Sequence, residues 1–107
     1  MSLPPALSPD QRRAALEKAA AARRQRAAVK EELKAERLSL KELFRRGEQD
    51  DVLGKLKVIS MLEAMPHTGK VKARRLMKDL DISESRRLRG LGPNLKKKLI
   101  EHFDRVH

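Results

Sequence analysis

Apolar positions recur at helical intervals along almost the whole 107-residue chain, and they fall into five blocks of unequal strength. The first runs from Asp10 to about Ala35 and is almost entirely Ala, Arg, Lys, Glu, Gln and Leu, with no Gly or Pro inside it. Ser8-Pro9-Asp10-Gln11 supplies a cap, a proline at the first helical position and a Gln at the third, so the block is expected to start there. Some 25 residues at about 1.5 Å each give a helix of roughly 38 Å. Its apolar seam, Ala15, Ala22, Val29 and Leu33, is thin. Such a seam buries little area, and the expectation is an arm that docks weakly or projects.

The remaining blocks are shorter. Ser39-Leu40-Lys41-Glu42 reads as a capping box opening a helix through Leu40, Leu43 and Phe44, with Gly47 as its stop. After the acidic stretch Glu48 to Asp51, the spacing of Val52, Leu56, Ile59, Leu62 and Met65 predicts one helix closed by Pro66. Another is expected from about Lys70 to Leu80, with Ala73, Leu76, Met77 and Leu80 inward. The last starts at Gly92-Pro93 and carries Leu95, Leu99 and Phe103 on one face. No stretch alternates with period two over a strand's length, so the fold is expected to be all-α. The organisation expected is an extended lead at 1 to 9, a helical arm at 10 to 47 and a compact helical domain at 48 to 107.

Charge narrows the function. The chain holds 26 Lys and Arg against 15 Asp and Glu, a formal net charge of +11, which favours polyanionic partners. Residues 66 to 98 carry 11 of the cations and only 3 acids, so +8 of the +11 sits in under a third of the chain. The absence of cysteine removes disulfide scaffolds, thiolate nucleophiles and cysteine-based zinc sites. Phe44 and Phe103 are the only aromatic rings apart from histidine, too few for the stacking on which single-strand recognition usually relies. A duplex backbone suits such a surface better. No apolar run approaches the roughly 18 residues of a membrane span, and the opening residues lack the pattern of a signal peptide. A soluble cytoplasmic protein is expected, without the length for the layered core most enzymes need.

Two glycine turns concentrate the candidate chemistry. Met65-Pro66-His67-Thr68-Gly69-Lys70-Val71-Lys72-Ala73 reads as helix, tight turn, helix. A phosphate could rest on backbone N–H groups at that helix start, with Gly69 opening the turn and Lys70 and Lys72 neutralising the charge. Arg86-Arg87-Leu88-Arg89-Gly90-Leu91-Gly92-Pro93-Asn94 repeats the device. Gly90 and Gly92 are expected to present a second set of N–H donors, joined by Asn94 and Lys97, while Arg86, Arg87 and Arg89 bridge phosphate oxygens or enter a minor groove. Arg23, Arg26, Lys30, Lys34 and Arg37, at spacings of three and four, form a basic stripe on the arm and a second candidate DNA face.

Other motifs fail on spacing. Gly69-Lys70 lacks the earlier glycine and the following hydroxyl of a nucleotide-binding loop, since Ala64 and Val71 stand there. Gly90-Leu91-Gly92 has Leu95 where a dinucleotide fingerprint needs its third glycine. His67, His102 and His107 have neither paired spacing nor cysteine company, so no metal, cofactor or catalytic set is assigned.

The chain resembles the actinobacterial integration host factor family. The likeness rests on Leu3-Pro4-Pro5, on Ala14 to Arg24, on Val52-Leu53-Gly54-Lys55-Leu56-Lys57-Val58, on Gly69-Lys70-Val71-Lys72-Ala73 and on Arg86-Arg87-Leu88-Arg89-Gly90-Leu91-Gly92. The resemblance implies a long N-terminal helix on a compact domain with a helix-two-turn-helix-like unit, shared in part with ribosomal protein S13. It also implies a nucleoid-associated protein that binds duplex DNA with little sequence preference, bends or compacts it, and supports phage-type integration within recombinase complexes. Family DNA contacts would fall on Arg86, Arg87 and Arg89 and on Gly69, Lys70 and Lys72. Residues 37 to 50 match little, and His67 stands where a helix-hairpin-helix motif has Gly. The expected protein is a monomeric, non-enzymatic DNA architect. Its main rival is a ribosomal-type RNA-binding protein, and a helical interaction protein using the Ala seam is the third reading.

Overall fold

The computed structural model describes residues 7–106, and the side chain of residue 106 is left aside. The first six residues of the expected lead, and His107, lie outside them. Among the described residues the fold is all-α: six α-helices, one 3-10 turn and a single isolated β-bridge. The helices are α1 (Pro9–Lys34), α2 (Leu40–Gln49), α3 (Asp51–Gly54), α4 (Val58–Ala64), α5 (Gly69–Asp79) and α6 (Pro93–Val106), with the 3-10 turn at Leu88–Gly90.

Helix α1 starts where the sequence places it. The Gln11 N–H donates to Ser8 Oγ at 3.1 Å, and the Ser8 N–H donates to Gln11 Oε1 at 2.9 Å, with Pro9 at the first position. Of the four seam residues, Val29 and Leu33 are buried, Ala22 is half-buried and Ala15 is exposed. Packing thus begins near the middle of the helix, and the half before it stands clear of the core. The molecule is accordingly long, 53 × 32 × 26 Å. Its radius of gyration of 16.4 Å exceeds the roughly 13 Å of a compact chain this long.

One hydrophobic cluster extends from Val29 to Phe103 and includes Leu40, Leu43 and Phe44 of α2, Met61 and Leu62 of α4, Ala73 and Met77 of α5, and Leu99 of α6. Ala73 is completely buried at the α4–α5 crossing, as expected of a small residue that lets two helices approach.

Two expected boundaries move. Gly47 does not stop α2: it is buried inside it, and the helix runs on to Gln49. The Gly47 backbone carbonyl faces Gly54, and it is the missing side chain of Gly54 that serves the approach of α2 and α3, since a Cβ there would stand 3.0 Å from the Gly47 oxygen. The capping box at Ser39 forms only in half. Glu42 N–H donates to Ser39 Oγ at 3.2 Å, but the Glu42 carboxylate turns to Arg45 and Arg46 instead. The single helix expected through Val52 to Met65 is split into α3 and α4. The boundary ahead of it lies in the acidic stretch, where Asp50 ends α2 in extended backbone and caps α3, its carboxylate accepting the N–H of Val52 at 2.9 Å and of Leu53 at 3.4 Å. Extended backbone at Lys57 makes the split between α3 and α4.

Candidate nucleic-acid interface

Residues 55 to 57 interrupt the helical path where the chain pairs with residues 86 to 88. The Val58 N–H donates to the Arg86 carbonyl and the Leu88 N–H to the Leu56 carbonyl, both at 2.9 Å, a two-rung antiparallel stitch around the Lys57–Arg87 bridge. Alternation then sorts the side chains. Leu56, Val58 and Leu88 go into the core, while Lys55, Lys57, Arg87 and Arg89 face solvent and Arg86 is half-buried. Lys55 and Lys57, expected within one helix, instead stand beside the three arginines.

Each arginine is held by an acceptor of the protein. Arg86 Nη1 donates to the Gly90 carbonyl at 2.7 Å, and Arg87 Nη1 to the Lys55 carbonyl at 2.9 Å. Arg89 Nη2 pairs with the Asp51 carboxylate. That hydrogen bond, with the guanidinium charge, holds the Asp51 carboxyl below the usual carboxylate value, and Lys55 and Lys18 add smaller pulls against a weak opposing effect of burial. Lys18 brings the exposed half of α1 into the electrostatics of this edge. The α1 residue Gln25 likewise donates to the Asp50 carboxylate.

The second glycine turn differs from its expected form. The Gly90 N–H is used internally, donating to the Arg87 carbonyl at 2.9 Å, and the Leu91 N–H donates to Leu88 at 3.0 Å. Gly90 is therefore not an open donor. Its lack of a side chain makes room for Arg86, because a Cβ there would stand 3.0 Å from Arg86 Cδ. Gly92 is exposed, and a Cβ on it would meet nothing within 4 Å. Asn94 and Lys97 are exposed on the first turns of α6. Lys96 turns inward, 3.2 Å from Glu48 and 5.8 Å from the centre of the Phe44 ring.

The first glycine turn has the geometry its sequence implied, with one addition. Gly69 has φ +68°, and His67, at the position where a hairpin motif would place glycine, also takes a left-handed φ of +61°. Helix α5 has no side-chain cap at its start. Lys70 is exposed, and Lys72 Nζ donates to the His67 carbonyl at 3.3 Å. An open groove of about 670 Å³ joins this turn to α1, lined by Lys30 and Lys34 together with Glu31, Ser60 and Glu63. Two members of the arm's basic stripe therefore share a face with the turn. Arg23 and Arg26 lie earlier on α1, and Arg37 lies beyond its end, in a turn where its N–H donates to Glu32 at 2.9 Å.

An S13-like H2TH domain model matches residues 33–103. The chain is 58% identical over 94 residues to the integration host factor of Streptomyces coelicolor, covering 88% of this chain and 87% of the relative. Identity to the integration host factors of Mycolicibacterium smegmatis and Mycobacterium tuberculosis is 54% over 100 residues and 52% over 99. Those matches cover 94% and 92% of this chain, and 95% and 94% of the relatives. The chain belongs to the integration host factor family. A solved structure of sIHF bound to an 8-base-pair palindromic DNA superimposes with a TM-score of 0.79 at 53% identity, covering 81% of this chain and 98% of that one. In this member of the family, the matched domain begins at Leu33 and so includes the end of α1 that is anchored in the core. No group of three or more His, Cys, Asp or Glu that could hold a metal occurs among the described residues, and no described helix is long and apolar enough to cross a membrane.

Proposed function

We propose that this chain is a non-catalytic architectural protein of the bacterial nucleoid that grips duplex DNA through its backbone, with little preference for sequence. The observation that carries the reading is the stitch between residues 56–58 and 86–88. It sets Lys55, Lys57, Arg87 and Arg89 along one solvent-facing edge above buried Leu56, Val58 and Leu88, in a family with a member seen on duplex DNA. Arg86, Arg87 and Arg89 contact phosphates or enter a minor groove, aided by Gly92, Asn94 and Lys97, while Gly90 leaves room for the Arg86 side chain. Gly69, Lys70 and Lys72 seat a further phosphate at the start of α5. Lys30 and Lys34 extend that contact, and Arg23, Arg26 and Arg37 reach the same or a second duplex. Contacts on two faces give bending and compaction a geometric basis. The family's name supports a part in site-specific integration, beside a recombinase on DNA in the cytoplasm.

The RNA reading is disfavoured by the rings. Phe44 and Phe103 are both buried, so neither offers a base a platform. The test is a titration of random-sequence duplex and structured RNA at several salt concentrations. Tighter binding to duplex is expected, with log K falling against log salt at a slope of about −5 to −7 if six to eight phosphates are neutralised. Replacing Arg86, Arg87 and Arg89 together by Ala is expected to weaken binding equally on any sequence. Unchanged affinity after that triple substitution would remove the arginine edge from the function.

A further inference from the structure

The two acids at the start of α3 do different work. Asp50 is structural, capping the helix through Val52 and Leu53 and accepting from Gln25. The Asp51 carboxylate caps nothing, because the Lys55 N–H goes to the backbone carbonyl of Asp51 at 3.1 Å. What surrounds this carboxylate is cationic: Arg89 hydrogen-bonded to it, with Lys55 from the end of α3 and Lys18 from α1 acting at longer range. The pair lies open to solvent, with 57% of the Arg89 side chain and 78% of the Asp51 side chain exposed. Gly54 gives the guanidinium its place, since a Cβ there would come within 3.4 Å of Arg89 Nε. A negative charge whose folding contribution is no more than that of an exposed ion pair therefore stands on the edge proposed to face a polyanion.

We propose that Asp51 is an internal stand-in for a DNA phosphate at Arg89: it occupies the guanidinium fork in the free protein and a backbone phosphate must displace it. The inference rests on the duplex-binding reading of this edge. Carboxylate and phosphate oxygens both match the planar fork, so one can replace the other. A solvent-exposed ion pair is weak, which lets the exchange proceed. A duplex also engages Arg86, Arg87, Lys55 and Lys57 at once, and this tips the exchange toward DNA. Once displaced, the carboxylate is left to Lys55 and Lys18, so the cost that DNA meets is the broken Arg89–Asp51 pair, and this cost lowers affinity and speeds release. The device suits a protein that must redistribute along DNA rather than remain where it first lands.

A double-mutant cycle tests this on the full chain, using anisotropy of a labelled random-sequence duplex with wild type, D51N, R89A and D51N/R89A, each first shown by circular dichroism to be folded at the assay temperature. D51N is expected to bind about three- to tenfold more tightly than wild type, mainly through slower dissociation. In the R89A background the same change is expected to alter affinity by less than about twofold. Three results overturn the proposal: D51N binding more weakly, as a buttress that holds Arg89 onto DNA requires; D51N binding as wild type does; or an equal gain in both backgrounds, which makes Asp51 one repulsive charge among many. Failure of the wild-type protein itself to bind duplex overturns the functional reading as well. Wild-type binding with any of the three results overturns the role of Asp51 alone.

Discussion

A side-chain carbon on Gly54 would stand 3.0 Å from the carbonyl oxygen of Gly47, tighter than nine in ten real Cβ contacts. The obstacle is backbone, which cannot swing aside as a flexible side chain would. Gly54→Ala is therefore expected to force α2 and α3 apart and to crowd Arg89, whose Nε lies 3.4 Å from the same carbon. Overpacking of this kind costs about 1–3 kcal/mol. Urea denaturation should show the loss, and Gly92→Ala, where the new methyl group meets nothing within 4 Å, should leave the midpoint in place.

These contacts explain what could and could not be read from the sequence. Helix starts at Pro9 and Pro93, the burial of Ala73 and the left-handed Gly69 follow from local rules, and all were legible. The break between α3 and α4 was not, because the apolar spacing of Val52, Leu56, Ile59 and Leu62 fits one continuous helix. What splits it is pairing with residues 86–88, some thirty positions later. The alternation of Lys55-Leu56-Lys57-Val58 is a true period-two signal, but four residues are too few to tell it from a helical turn. Gly47 reads as punctuation along the chain and instead makes a close contact across it with Gly54. The pairing of Asp51 with Arg89, 38 positions apart, had no local signature at all.

The two halves of α1 should respond differently to truncation. Leu33 is 1% exposed and lies within the main cluster, so Leu33→Ala is expected to cost about 2–5 kcal/mol. Leu16, at 64% exposed, touches no part of that cluster. Leu16→Ala is expected to stay within about 0.5 kcal/mol of wild type. Equal losses in calorimetry would mean that the first half of α1 is packed in solution.

The turn between α4 and α5 holds two left-handed residues, and they should answer in opposite directions. Gly69→Ala places a side chain at φ +68° in open space, so its cost is purely conformational, about 1–2 kcal/mol. His67 already bears that strain at φ +61°. His67→Gly relieves it but adds freedom to the unfolded chain, leaving a net gain of roughly 0.5–1 kcal/mol. Thermal midpoints of the two variants measure both signs.

Acid should dissolve the Arg89–Asp51 pair. The Asp51 carboxyl titrates below its ordinary value of 3.8 in the folded protein, with the Arg89 hydrogen bond as the main cause. A carboxyl depressed by folding contributes stability above its unfolded pKa, and the contribution is lost as pH falls through the lower folded value. The stability difference between wild type and R89A is therefore expected to be greatest near neutrality and to shrink below about pH 4. Urea midpoints of both proteins across that range measure it. A difference constant with pH would show that the pair does not form.

The salt dependence of binding can separate the lysines of the stitched edge from lysines elsewhere. Lys55 and Lys57 are exposed beside Arg87, whose guanidinium is fixed on the Lys55 carbonyl. A phosphate held at Arg87 is thus within the field of both. If each lysine neutralises one phosphate, replacing both by Ala should flatten the slope of log K against log salt by about 1.8. The loss should be the same on random and on A·T-rich duplexes, because phosphates carry no sequence information. Lys41 serves as the comparison: it is equally exposed but lines a groove with Phe103 and Asp104, away from the stitch. Its replacement by Ala should leave the slope unchanged. A slope that flattens half as much for Lys41 alone as for the pair would mean that the duplex senses only total charge.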